Sequence, residues 1–323
     1  MLKHSGYIEL PEHQTTGGFD HAAVHSGLRR LYVAHTANSA LDVLDTDTDT
    51  YLHSIPDLPG VAGVLVSEST GWVFTSNRGE NSVGMFMPES ESTLEKVSVG
   101  IRPNGLAFDD QRGLLLSAHV GDPAIPDSFT VALVDVAGRR VRASIPVPGR
   151  TRWTIFDPAA KVFYVNIANP PQIAVVDPQM PEHVTRVYDI PAEGPHGLDL
   201  DISNRRLFCA CDSGKVFSLD ADSGEILAQA PLSGKPDVLF YNSTRQHLYV
   251  AVGDPGMIDV FDTQTLQRLE TVTTEKGAHT LGFDPLHNKI YAFLPNSHRA
   301  AVFNDLVYVR RSELPIYSIH SVP

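Results

Sequence analysis

Short runs of apolar residues recur about every 42 residues along the chain, and polar turns separate them. Each unit starts at a small or polar position before a short apolar run. A turn leads to a run of the L-Y-V-A type, and a third run ends in Asp or Asn. The β-branched and aromatic residues in these runs favour strands packed between neighbouring sheets. Seven copies begin near residues 21, 63, 105, 153, 197, 238 and 280.

A period of about 40–45 residues with four strands per unit is typical of β-propeller blades. We therefore predict an all-β chain that forms a seven-bladed β-propeller with four-stranded blades, as a single domain over residues 1–323. An open sheet edge invites aggregation, so the last blade needs a closing strand. The segment Gly6–Leu10 is predicted to complete the seventh blade, whose inner strands come from residues 280–304. Leu306–Val309 and Ile316–Ile319 are further strand candidates there.

Several local motifs resemble those of one known family. The L-Y-V-A strands, the V-x-V-x-D third strands and the lead-ins Gly100–Gly105 and Gly194–Gly197 resemble the YVTN-repeat propellers, relatives of the surface-layer and lactonase-type seven-bladed propellers. The resemblance covers nearly the whole chain and implies the architecture. It leaves the activity open, because that superfamily includes lactone hydrolases, lyases, cofactor proteins and scaffolds.

Composition narrows the classes of partner and the compartment. A net charge of −13 argues against nucleic acid and anionic membranes as partners, because both require clustered Lys and Arg. No apolar run reaches the ~18 residues that span a bilayer, and the N-terminus lacks an apolar signal-peptide core. We expect a cytoplasmic protein. Cys209 and Cys211 stand two residues apart on one strand, which is poor disulfide geometry, so both are expected to be reduced and buried.

Strand direction predicts where polar residues meet. Strands alternate in direction within a blade, so first strands begin and second strands end at the same face. The residues just before the copy starts form an inner ring: Asp20, Ala62, Asn104, Arg152, His196, Asp237 and His279. The ends of the second strands form an outer ring: His35, Asn77, His119, Ile167, Cys211, Val252 and Leu294. We expect both rings at one mouth of the central channel, with the insertion Val120–Ser128 as its rim.

The chemistry of these residues predicts a site for a small, anionic molecule. A His beside a carboxylate is a candidate base, and Arg holds carboxylate or phosphate through two hydrogen bonds. The predicted catalytic residues are His279, His196, Asp237 and Arg152. The predicted substrate-binding residues are Asn104, Arg152, Asn77 and His119.

Neighbouring blades also suggest a metal site. Blades 7 and 1 are adjacent, and imidazoles and carboxylates bind divalent metals, so His279, Asp20, His21 and His35 are the predicted ligands. The alternative is a water-filled channel whose polar residues bond only to water and loop backbone.

The predicted function is small-molecule binding at this mouth. If the protein is an enzyme, the resemblance implies metal-assisted lactone hydrolysis or a lyase reaction. The alternative function is a non-catalytic scaffold that binds a protein partner through a face or the rim of the disc.

Overall fold

Seven four-stranded antiparallel sheets make up residues 1–307, the part of the chain that this computed structural model describes. The first strand of each sheet contacts the first strands of the two neighbouring sheets, and these contacts close into a ring around a central channel. The predicted seven-bladed β-propeller is therefore confirmed. Within residues 1–307, no helix has the length and apolar character to span a lipid bilayer.

The blades follow one another in chain order. Within a blade, the first strand lies at the channel and the later strands lie successively further out. Blades 1 and 2 contain β2–β5 (Ala22–His25, Arg30–His35, Ala40–Asp45, Thr50–Ile55) and β6–β9 (Val61–Val66, Val73–Asn77, Ser82–Phe86, Glu95–Ser98). Blades 3 and 4 contain β10–β13 (Pro103–Asp109, Leu114–His119, Thr130–Asp135, Arg140–Pro146) and β14–β17 (Thr151–Asp157, Val162–Ile167, Gln172–Val176, Arg186–Asp189). Blades 5 and 6 contain β18–β21 (Pro195–Asp201, Arg206–Cys211, Lys215–Asp220, Ile226–Pro231) and β22–β25 (Lys235–Asn242, His247–Asp254, Met257–Asp262, Arg268–Thr273). Within the described residues, three short 3₁₀ helices lie at Ser26–Leu28, Thr36–Asn38 and Pro88–Thr93.

Blade 7 combines both ends of the described chain. Its inner strands are β26–β28 (Thr280–Asp284, Lys289–Leu294, Arg299–Asp305), and β1 (Leu2–Glu9) pairs antiparallel with β28 as its outermost strand. The predicted closure by an N-terminal strand is confirmed, although the strand begins earlier than expected. The predicted tail strands lie outside the described residues, apart from Leu306 and Val307, which are not in a strand.

Tyrosines of the second strands connect neighbouring blades. Tyr164, Tyr249 and Tyr291 are completely buried. Their hydroxyls donate to acceptors on the next blade, at Ala221 O (2.8 Å), Asp305 Oδ2 (2.5 Å) and Asp49 Oδ1 (2.7 Å) respectively. A buried tyrosine contributes a large apolar area but needs a partner for its hydroxyl. The tyrosine of the L-Y-V pattern therefore connects neighbouring blades at three of the junctions.

Candidate functional site

Two kinds of loop meet at one face of the propeller, as the strand directions predict. The residue after a second strand donates its backbone N–H to the loop that precedes the first strand of the same blade. This bond recurs in four blades: Arg78 to Gly60, Val120 to Arg102, Ala168 to Arg150 and Asp212 to Gly194, at 2.8–3.1 Å. The loops therefore hold their side chains at a common mouth in a repeated geometry.

Glycines at the copy starts let adjacent blades approach closely at this mouth. A Cβ on Gly105 would lie 2.5 Å from Arg152 O, and one on Gly197 would lie 2.5 Å from Asp237 O. Both carbonyls belong to inner-ring residues of the next blade. Only glycine leaves room for the backbone there, which explains the glycine in these lead-ins.

His196 lies between two carboxylates. Its Nδ1 is 2.7 Å from Asp212 Oδ1, and its Nε2 is 3.0 Å from Asp237 Oδ1. Arg152 Nη1 also lies 3.2 Å from this Nε2, and Arg152 Nη2 donates to Asp212 Oδ2 at 3.2 Å. Two donors cannot bond to each other, so Asp237 is the acceptor for the Nε2 proton when the imidazole is doubly protonated.

The charges at this group support each other. Burial opposes a charge on His196, but Asp237 and then Asp212 outweigh it and raise the pKa of His196. Burial likewise opposes ionisation of Asp237, yet His196 and then His279 lower the pKa of Asp237. The pKa of Asp212 is lowered in the same way, chiefly by its hydrogen bond from His196 against the effect of burial. The two carboxylates therefore favour the imidazolium form of His196 over the neutral ring.

His279 occupies a different environment on the same mouth. Its Nδ1 lies 2.7 Å from the carbonyl of Gly277, an acceptor, so Nδ1 carries the proton. Its Nε2 lies 4.0 Å from Asp237 Oδ2, and about a third of the side chain is exposed. In the neutral imidazole, Nε2 therefore carries the lone pair.

A second arginine of the mouth, Arg78, contacts both Asp20 and Asn104. Arg78 Nη1 lies 3.1 Å from Asp20 Oδ2, and Arg78 Nη2 donates to Asn104 Oδ1. His21 Nε2 is 3.5 Å from Asp20 Oδ1. The His21 ring packs on Trp153 with centroids 4.0 Å apart, and burial lowers the pKa of His21, so its imidazole is neutral.

Cationic side chains outnumber carboxylates at the mouth. Burial lowers the pKa of Arg150, and the charges of Arg152, Arg102 and Arg78 lower it further, which places four guanidinium groups in one region. Lys235 lies 3.5 Å from Asp212 and adds a fifth cation. Three carboxylates, those of Asp20, Asp212 and Asp237, lie at the same mouth. We call these residues the mouth cluster: Asp20, Arg78, Arg102, Asn104, Arg150, Arg152, His196, Asp212, Lys235, Asp237 and His279.

Two buried donors of the mouth cluster have no acceptor among the described residues. They are the Nε atoms of Arg78 and Arg152. A buried, unsatisfied charged donor is costly, and an acceptor supplied by a ligand would remove that cost.

Three predicted site residues of the outer ring lie inside blades. His35 is completely buried, with Nδ1 2.7 Å from Asp42 Oδ2 and Nε2 2.7 Å from His13 Nδ1. His119 Nδ1 lies 2.7 Å from the hydroxyl of Thr130, and burial lowers the pKa of His119 to about 4. Asn77 is buried and donates to Ser82 Oγ at 3.0 Å. The contacts with Asp42, Thr130 and Ser82 connect the second and third strands of one blade, and His13 adds a contact from the segment between β1 and β2.

The structure brings two of the predicted metal ligands together, Asp20 and His21, whose Oδ1 and Nε2 lie 3.5 Å apart. Among residues 1–307, no group of three or more His, Cys, Asp or Glu side chains has an arrangement that could hold a metal ion. Both nitrogens of His35 are engaged, and His21 packs on Trp153. The divalent metal stays a prediction.

The sequence reasoning missed several members of the mouth cluster. Arg78 and Asp212 each follow the last residue of a second strand, one position beyond the predicted outer ring. Arg102, Arg150 and Lys235 each stand two positions before an inner-ring residue. A search of the positions that flank each ring would have found all five.

Comparison with known proteins supports the fold alone. No protein-family model and no curated protein sequence matches the chain. Among solved structures, a chain in "Crystal Structure of Mitotic Checkpoint Complex" is similar, with a TM-score of 0.79 and 10% identity over 94% of this chain and 92% of that chain. The resemblance to YVTN-repeat propellers therefore stays a prediction.

Proposed function

We propose that the mouth cluster binds a small anionic molecule that carries a carboxylate or phosphate group. The observation that carries the proposal is the excess of cations at this mouth in a chain of net charge −13. Like charges are costly to hold together, and an anion relieves that cost. The buried Nε donors of Arg78 and Arg152 fit the same ligand class.

Titration calorimetry with inorganic phosphate, citrate and acetate tests this proposal. We expect phosphate or citrate to bind, and the affinity to fall as salt is added, since salt screens charges at a solvent-accessible mouth. Arg78→Gln and Arg152→Gln should each weaken binding by about tenfold or more, because a hydrogen bond to a charged group contributes about 1.5–3 kcal/mol.

Arg142 provides the matched control for these variants. It is exposed on β13, away from the mouth, so Arg142→Gln removes the same charge from the protein. It should leave the affinity unchanged. Equal affinities in wild type, Arg78→Gln and Arg152→Gln would refute an anion site at the mouth.

Hydrolysis of a lactone is a second candidate, favoured by the tautomer of His279. In this proposal Nε2 of His279 takes a proton from water, and the hydroxide attacks the lactone carbonyl carbon. The tetrahedral intermediate collapses as the ring C–O bond breaks, and protonated His279 returns its proton to the leaving alkoxide. The product is a hydroxy acid, whose carboxylate Arg152 holds. Asp237, which also contacts His196, lies 4.0 Å from this Nε2 and stabilises the positive charge that His279 gains with the proton.

A panel of lactones, assayed by release of acid, tests this chemistry. Activity in the wild type that His279→Gln abolishes would support it, with phosphate binding unchanged as a sign that the mouth is intact. Absence of turnover across the panel would leave binding alone. Elemental mass spectrometry on the same preparation tests the predicted divalent metal.

A further inference from the structure

The central channel contains an apolar chamber of about 700 Å³ below the mouth. Its wall is made by the first strands, whose side chains point into the channel. Aromatic and aliphatic residues dominate this wall, among them Leu65, Phe108, Ile155, Phe240 and Phe283. A volume of this size lies within the range of about 300–1,000 Å³ that is usual for small-molecule sites.

An aromatic pair lies at the end of the chamber nearest the mouth cluster. His21 of blade 1 and Trp153 of blade 4 come from opposite sides of the ring, and their rings pack with centroids 4.0 Å apart and planes tilted by 34°. The Phe240 ring meets the Trp153 ring edge-on, with ring centroids 6.3 Å apart, and extends this aromatic contact. At its other end the chamber reaches the turns between first and second strands, where Glu68 and Asp110 line it. A ligand would therefore enter from the face opposite the mouth.

One carboxylate interrupts the apolar wall. Asp199 lines the chamber at the strand position that other blades fill with residues such as Ala23, Leu65 and Ile155. Its Oδ1 accepts from Leu200 N at 2.8 Å and its Oδ2 from Tyr241 N at 2.7 Å. Burial raises the pKa of Asp199 to about 6. Among the described residues that line the chamber, none is Lys or Arg.

We propose that this chamber binds a hydrophobic cation, an aromatic or alicyclic amine whose ring packs on the apolar wall and whose ammonium group donates to Asp199. Asp199 is half-buried in this apolar wall with no Lys or Arg beside it in the lining, and an ammonium group supplies a cationic partner. The faces of Trp153 and Phe240 also attract a cation. Glu68 and Asp110 at the entrance favour the same charge. The proposal does not depend on anion binding at the mouth.

Three probes with the same ring system test the proposal by calorimetry at neutral pH. They are 1-naphthylmethylamine, 1-naphthalenemethanol and 1-naphthoate, which carry a positive charge, no charge and a negative charge. We expect the amine to bind about tenfold or more tightly than the alcohol, because only the amine pairs with Asp199. Naphthoate should not bind measurably. Alcohol or naphthoate binding as tight as amine binding, or no amine binding at all, would overturn the proposal.

Variants place the binding in the chamber. Asp199→Asn should abolish the preference for amine over alcohol, whereas Asp189→Asn, an equal charge change on the exposed surface of β17, should keep it. Asn can accept only one of the two backbone hydrogen bonds, so Asp199→Asn risks lower stability. Ala23→Phe provides a second variant that fills the chamber, and it should weaken the amine and the alcohol alike. Retained amine affinity in Ala23→Phe would contradict binding in the chamber.

Competition separates this site from the mouth. Saturating inorganic phosphate should leave the affinity for the amine unchanged, because Asp199 lines the chamber and is not part of the mouth cluster. A failure of phosphate to bind would count against the proposed function and not against the chamber. Direct competition between phosphate and the amine would count against the chamber.

Discussion

Asp237 raises the pKa of His196, so replacing this carboxylate should change the titration of the imidazole. In Asp237→Asn the partner 3.0 Å from Nε2 loses its charge, while Asp212 stays 2.7 Å from Nδ1. An opposite charge at such a distance shifts a pKa by about 1–3 units. We therefore expect the pKa of His196 to fall by about 1–3 units, or about 1.4 kcal/mol for each unit.

The same change alters stability over a defined range of pH. The raised pKa of His196 stabilises the folded protein below the ordinary histidine pKa of about 6.5, and the gain is lost as pH rises through the folded value. The lowered pKa of Asp237 stabilises the fold above about 3.9, and this gain is lost as pH falls towards the folded value. The largest loss of stability in Asp237→Asn is therefore expected between about pH 4 and 6.5.

Long-range ¹H–¹⁵N correlation spectra recorded across pH measure the titration of each imidazole, and the signal lost in His196→Gln assigns His196. The matched control is Asp20→Asn, which removes a carboxylate of the same ring next to His21 and Arg78. It should leave the pKa of His196 unchanged. An unchanged or higher pKa of His196 in Asp237→Asn would refute the arrangement of charges described for the mouth cluster.

Three further outcomes follow from packing. Deleting residues 1–9 exposes the edge of β28. The melting temperature should fall, and light scattering should show association that increases with protein concentration. An unchanged melting temperature would contradict the closure of blade 7 by β1. Tyr249→Phe removes the donor to Asp305, and denaturant unfolding should show a loss of about 1.5–3 kcal/mol, whereas a loss near zero would contradict this contact. Burial raises the pKa of Cys209, and Cys211 is completely buried beside it. A maleimide should therefore label both thiols only in denaturant. Labelling of the native protein would count against their burial.

The fold was predictable from the sequence because its period is long and regular. First strands begin within three residues of the predicted copy starts, since the glycines and apolar runs that mark them are needed for packing at the channel. The closing strand was also predictable, because Gly6–Leu10 occupies the place of a fourth strand.

The site was predictable only in part. Ring position places Arg152, His196 and Asp237 correctly at the mouth, because the start of a first strand always lies there. It does not give the direction of a side chain, so it could not show that His35 and His119 point into their blades. The apolar chamber was missed for a similar reason. Phe240 and its counterparts could equally pack between blades, and only the assembled ring shows that they face the channel.

The closure of blade 7 sets an order of events during synthesis. β1 leaves the ribosome before the other strands of the propeller, yet Ser5 bonds to Val302, 297 residues further along the chain. At about 5–20 residues per second, β1 waits for about 15–60 seconds without its partner. For that time the growing chain carries an unpaired strand and an incomplete ring, both open to association with other chains. Factors that shield nascent chains would therefore affect the yield of this protein more than the stability of its finished fold.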